Sequence, residues 1–267
     1  MSIYITVAIL YLSAVFTVAI TANIKTYGTL LAQMSYENSF FETFGTIFLF
    51  IGFLFGIYSL FRYRFNGADR LIVIFFTIIL FFASMEEISW GQQIFHFPSS
   101  KYFLEHNLQE ETNLHNLVDG NIFSSIIYSS IYIFLIFLPL IVKLFPSLKS
   151  IKILNYFDFN SHIILIFLFG SAFQLYFYDD FGVLVDMITY FMALFLFGYF
   201  LIATRATLEL KLHYLIVLLG AVVSISSYKI YSFYNMQYEI REAFIEVGVV
   251  LIFIDFVYKR VAKSSLS

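Results

Sequence analysis

The chain has 267 residues, of which 61% are hydrophobic, 21% aromatic and only 12% charged, with a net charge of −3. A soluble domain carries roughly 45–50% apolar and about 25% charged residues, so this composition excludes a single soluble core and indicates a polytopic membrane protein. The acidic balance and the lack of any long basic run exclude a nucleic-acid partner, and the absence of cysteine excludes disulfides, thiolate nucleophiles and thiolate-bound zinc.

The apolar runs are unbroken and do not alternate in polarity, which predicts an all-α bundle and not a β-barrel. A span needs about 20 apolar residues, and on that rule about eight transmembrane helices are expected. They fall near 3–24, 44–61, 71–95, 121–145, 161–178, 181–203, 213–231 and 240–258. The first run has no Lys or Arg before it and is too long for a cleaved leader, so it reads as a retained span. Only Asp179 and Asp180 separate the fifth run from the sixth, as in a tight helical hairpin. Residues 1–267 then form one integral-membrane domain, with a polar segment at about 84–119.

Basic residues orient such a bundle. Arg62, Arg64, Arg70, Lys143, Lys149, Lys152, Arg205, Lys211, Lys259, Arg260 and Lys263 fall in one set of alternating loops. Only Lys25, Lys101, Lys229 and Arg241 fall in the other. Both termini are therefore predicted to be cytoplasmic. Most acids lie at the opposite, outer end, including Glu37, Glu42, Glu105, Glu110, Glu111, Asp119 and Glu239.

The candidate chemistry lies at that outer end. Glu86 and Glu87 close the third run, at a depth where carboxylates are costly and point to function. A helix continuing past Glu87 would place Glu86, Ser89, Gln93 and His96 within roughly an 80° sector. Carboxylate, hydroxyl, amide and imidazole would then share one face beside the only tryptophan, Trp90. The plain alternative is a helix emerging into water, with Trp90 as an interfacial anchor. Further on, Glu111 and His115 are four residues apart, a spacing that suits a divalent metal or a proton relay. Asn113 and Asn116 are candidates to position a substrate or to cap turns. In the last run Glu239, Glu242 and Glu246 form one helical stripe of acids, either functional or paired with Arg241 and Lys229. Asp186 has a similar place in the sixth run. His162, His213 and Asp255 read as ordinary residues of the cytoplasmic interface, and His106 as solvent-facing.

The segment EEISWGQQIF, followed by NLQEETNLHNL, resembles that of a group of bacterial multi-pass membrane proteins of unassigned function. The matching positions are Glu86, Glu87, Ser89, Trp90, Gly91, Gln92, Asn107, Gln109, Glu111, Asn113, His115 and Asn116, with a similar acidic C-terminal helix. The resemblance covers about 35 residues closely, implies a bacterial inner-membrane location, and implies no particular activity. The His-x-x-x-His pair of the zinc-dependent ceramidase-like hydrolases is absent.

Three functions fit these residues. The first is a membrane enzyme, a hydrolase or transferase acting on a lipid or lipid-linked substrate. Its catalytic residues would be Glu86, Glu87, Glu111, His115 and Glu242. Ser89, Trp90, Gln93, Asn113, Asn116 and Glu246 would bind substrate, with Glu111 and His115 as ligands for any divalent metal. The second is a proton- or cation-coupled transporter, although no inverted repeat is visible. The third is a non-catalytic subunit of a membrane complex, whose outer cap docks another protein.

Overall fold

The computed structural model describes residues 40–107, 110–114, 117, 126–173, 181–227 and 234–264. The expected span at 3–24 lies outside them, as do His115, Asn116, Asp119, Asp179, Asp180 and the side chains of Asp186 and Glu239.

Every regular element among the described residues is helical. The principal helices are α1 (Phe40–Arg62), α2 (Gly67–Glu87), the short α3 (Lys101–His106) and α4 (Ile126–Leu144). They are followed by α5 (Ser161–Ala172), α6 (Phe181–Ala203), α7 (Leu208–Ser227) and α8 (Tyr234–Ser264). Helices α1, α2 and α4 are long and apolar enough to cross a membrane, which fits a helical membrane protein. Side chains such as Phe50, Leu54, Phe75, Phe195 and Ile202 project outward uncovered, the surface that hydrocarbon suits and water does not.

Several expected boundaries move outward. Helix α7 begins at Leu208, before the apolar run, and α8 extends well beyond 240–258 at both ends. Backbone hydrogen bonding does not stop where hydrocarbon stops, and polar residues such as Glu209, Lys211, Gln237 and Lys259 are compatible with helix. At about 1.5 Å per residue α8 is about 46 Å long, so its acids near Glu242 and its cations Lys259 and Arg260 mark opposite ends of the bundle. One boundary moves inward: the run at 71–95 is helical only as far as Glu87.

Helix α5 is the hub. It is apolar on every side, so it must be surrounded, and each residue from Ile163 to Ala172 is buried. Helices α7 and α8 pack directly on it, and α8 also packs on α1. Glycines set the closest approaches. A Cβ at Gly248 would lie 2.6 Å from Phe167 Cζ, and one at Gly220 would lie 2.6 Å from Phe169 Cε2. Close backbone approach of this kind lets helices associate where lipid and side chains are equally apolar. In α4, Pro139 has no N–H to donate one turn back. The preceding residues, Ile131–Phe137, widen into π-type turns, which absorb the missing bond.

Ion pairs close the end bearing the C-terminus of α8. Asp69 accepts from Tyr156 at 3.2 Å and meets Arg260 at 3.4 Å. Asp158 receives Lys143 at 3.1 Å and Lys149 at 2.6 Å, while Lys259 donates to its backbone carbonyl at 2.6 Å. Burial alone would raise the Asp158 pKa, but hydrogen bonds and charge from Lys149 and Lys143 hold it below its ordinary 3.8. A depressed carboxylate stabilises the fold above its unfolded pKa and loses that contribution as pH falls through the folded value.

Two outcomes follow. Gly248→Ala should cost about 1–3 kcal/mol by overpacking and lower the melting temperature in detergent. Gly67→Ala should be near neutral, because nothing lies within 4 Å of the added methyl. The melting-temperature gap between wild type and Asp158→Asn should be constant above the ordinary carboxylate range and narrow as pH drops below 3.8.

Candidate functional site

The segment after α2 is built on a backbone reversal. Ser89, Trp90 and Gly91 follow one another at φ of 46°, 55° and 90°. Glycine takes such a conformation freely, but Ser and Trp do so at roughly 1–2 kcal/mol each. The reversal ends the helix, so Glu86, Ser89, Gln93 and His96 do not form the single-faced column that a continuous helix would give. A single turn at Gln92–Phe95 follows and ends at His96, which is also left-handed at φ 53°.

What holds the reversal is a side-chain hydrogen-bond network between this turn and residues 99–114. Ser89, fully buried, donates its hydroxyl to Glu111 Oε2. Asn113 Nδ2 donates to the same carboxylate oxygen at 3.1 Å and to Ser89 Oγ at 3.2 Å. Asn107 Nδ2 donates to Asn113 Oδ1 at 2.8 Å and to its carbonyl at 2.9 Å, and Asn107 Oδ1 accepts the Glu111 N–H at 3.2 Å. Gln92 accepts the Thr112 N–H at 2.8 Å and donates to Ser99 Oγ at 2.8 Å, and Ser99 in turn donates to the Glu110 carbonyl at 2.6 Å. Glu86 closes the clasp: one carboxylate oxygen accepts the Trp90 indole N–H and the other accepts the Leu114 N–H at 2.7 Å. The Trp90 ring stands edge-on to Phe82, 5.6 Å between centroids. Nearly every described residue of the motif thus has a structural role, and Glu86 and Glu111 are the acceptors at its two poles.

The clasp faces a second group of polar residues at the same end of the bundle. Gln93 Nε2 lies 3.5 Å from Glu42 Oε1, in the first turn of α1. One turn further along α1, Gly45 lets α8 approach so closely that an added Cβ would collide with Glu246 Oε2 and touch Ala243 Cα. The Glu246 carboxylate therefore lies against α1 inside the bundle. Glu242 is on the same face of α8, four residues away, and both are partly buried, as is Glu87. Arg241 projects elsewhere. It is 3% exposed, stacks on the Tyr128 ring with its guanidinium 3.7 Å from the centroid, and donates to the Tyr128 hydroxyl. At about 100° per residue, Arg241 and Glu246 point about 140° apart, so the cation serves the α4–α8 contact while the acids face α1.

The structure thus brings Gln93, Glu42 and Glu246 to one end of the α1–α8 pair, with Glu86, Ser89, Trp90, Glu111 and Asn113 in the clasp beside them. Neither Gly45 nor the Gln93–Glu42 contact is apparent from local sequence, because each depends on elements distant in the chain. The only signal is a small residue one turn after an acid. Comparison with protein-family models, curated proteins and solved structures finds no match.

Trp90 is the only tryptophan and reports directly on the clasp. Asn113→Ala strands the partners of a side chain that is 2% exposed, a loss of about 1–3 kcal/mol. Trp90 emission should then melt below the transition seen by helical circular dichroism, whereas Glu105→Gln, on an exposed residue, should leave the two transitions together.

Proposed function

We propose that the protein is a bacterial inner-membrane enzyme of about eight spans, with both termini cytoplasmic, acting on a lipid or lipid-linked substrate at its extracytoplasmic end. Membership in the bacterial group sharing the EEISWGQ and NLHN segments is part of the proposal. So is the orientation, which rests on the basic residues of alternating loops.

The observation that carries this reading is the place of Glu246. Its carboxylate is inserted between α8 and α1 at Gly45, one turn from the Glu42 that Gln93 reaches. Carboxylates held in a partly desolvated, protein-lined setting are suited to proton transfer. In this reading Glu246 and Glu242 are the working acids. One takes the proton from a water or hydroxyl as it attacks an ester or phosphoester at the membrane edge, and returns it to the leaving oxygen. Glu42 and Gln93 orient the substrate, and Glu87 adds to the acidic wall. Glu86, Ser89, Trp90, Glu111 and Asn113 keep Gln93 in place. His115 and Asn116 follow the clasp directly in sequence, and Glu111 is engaged within it by Ser89 and Asn113.

Protein in lipid nanodiscs, incubated with a panel of phospholipids and polyprenyl phosphates, should release a product detectable by mass spectrometry. Glu246→Gln should slow that turnover by about 10²–10⁴-fold, the usual contribution of a general base, with helical content unchanged. Proton flux into vesicles, lost in Glu246→Gln and unaccompanied by lipid turnover, would identify a transporter instead.

A further inference from the structure

The opposite end of the bundle carries a constellation that sequence patterning does not single out. His162 occupies the second position of α5, while Glu209 and His213 lie one turn apart in the first turns of α7. Packing of α7 on α5 brings one ligand atom from each to within 4.8 Å of the other two. The two imidazoles meet edge to face, with centroids 5.2 Å apart. Both histidines are partly buried and Glu209 is exposed, so the group opens to solvent on its carboxylate side.

We propose that His162, Glu209 and His213 bind a zinc-like divalent cation. Two imidazoles and one carboxylate form the donor set of three-ligand zinc sites, with water completing the tetrahedron. The donor set also discriminates. Calcium and magnesium prefer several oxygen ligands, and here the protein supplies one carboxylate, whereas imidazole suits zinc, cobalt and nickel.

A second feature supports the site independently of this clustering. Asn160, the residue that caps α5, accepts the His162 N–H at 3.0 Å through Oδ1, and the same oxygen lies 3.0 Å from His162 Nδ1. An oxygen in that position fixes the proton on Nδ1 and leaves the lone pair on Nε2, which is buried, the arrangement that orients a metal-binding imidazole. Asn160 is itself held, because its own N–H donates to Asp255 Oδ2 at 3.2 Å, and Asp255 pairs with Lys259 at 2.7 Å. A cation bound here joins the starts of α5 and α7 to the end of α8, far from the carboxylates at the other end.

Full-length protein in detergent, stripped with a chelator and dialysed against zinc, tests the site by elemental analysis and by the visible absorption of a cobalt substitute. The expected result is one equivalent of zinc, an intense tetrahedral cobalt spectrum, and a higher melting temperature with zinc than without. His213→Ala should abolish all three. Glu209→Gln, an exposed change that leaves the metal-free melting temperature in place, should weaken zinc binding by at least tenfold. Asn160→Ala should weaken it about 10–100-fold, as loss of an orienting partner does. His115→Ala should retain the equivalent. Zinc binding that survives His213→Ala and Glu209→Gln, or that disappears in His115→Ala, would overturn the assignment, as would no stoichiometric zinc in folded wild type.

Discussion

A carboxylate drawn partly out of water must find donors within the protein. Glu86 and Glu111 satisfy this requirement through Trp90, Leu114, Ser89 and Asn113, and the shape of the motif end depends on it. The backbone of Ser89 and Trp90 is left-handed, which is unfavourable by itself and persists only because the surrounding bonds over-determine it. A solvated helix end would need no such arrangement. The clasp instead turns the chain back across the end of α2 and places Gln93 beside α1.

The same economy of space governs the helices. Glycines at 45, 56, 220 and 248 are where neighbouring helices come closest, and aromatic rings pack around them. Phe76 stacks on Phe253 at 5.3 Å, and Phe169 meets Phe244 at 4.9 Å. With little hydrophobic driving force between helices inside lipid, such packing supplies much of their association. At Gly45 the partner is a carboxylate, Glu246. The position that elsewhere serves packing here admits a polar group to the interior, and for that reason the proposed chemistry is placed at α1 and α8 and not on the motif itself.

The two ends of the bundle therefore differ in kind. One carries partly buried acids beside a hydrogen-bonded polar clasp. The other carries compensated ion pairs around Asp69, Asp158 and Asp255, together with the two histidines and Glu209. In the function proposed above, the first end reacts and the second anchors.

Helical membrane class was legible in the sequence, because the hydrophobic effect acts on composition and run length whatever the topology. The acids of α8 and the polar island after α2 were legible too, because charged and amide side chains stand out in an apolar run. The helix break at Ser89 was not. Helical spacing joined Glu86, Ser89, Gln93 and His96 on one face, and only bonds from residues some twenty positions later turn the backbone left-handed. Likewise His162 and His213 look like two unrelated interfacial residues until α5 and α7 pack together. Sequence by itself determined which segments avoid water and which polar residues are present. Tertiary structure decided which of those residues meet, because hydrogen bonds and ligand sets depend on distances of a few ångströms between elements far apart in the chain.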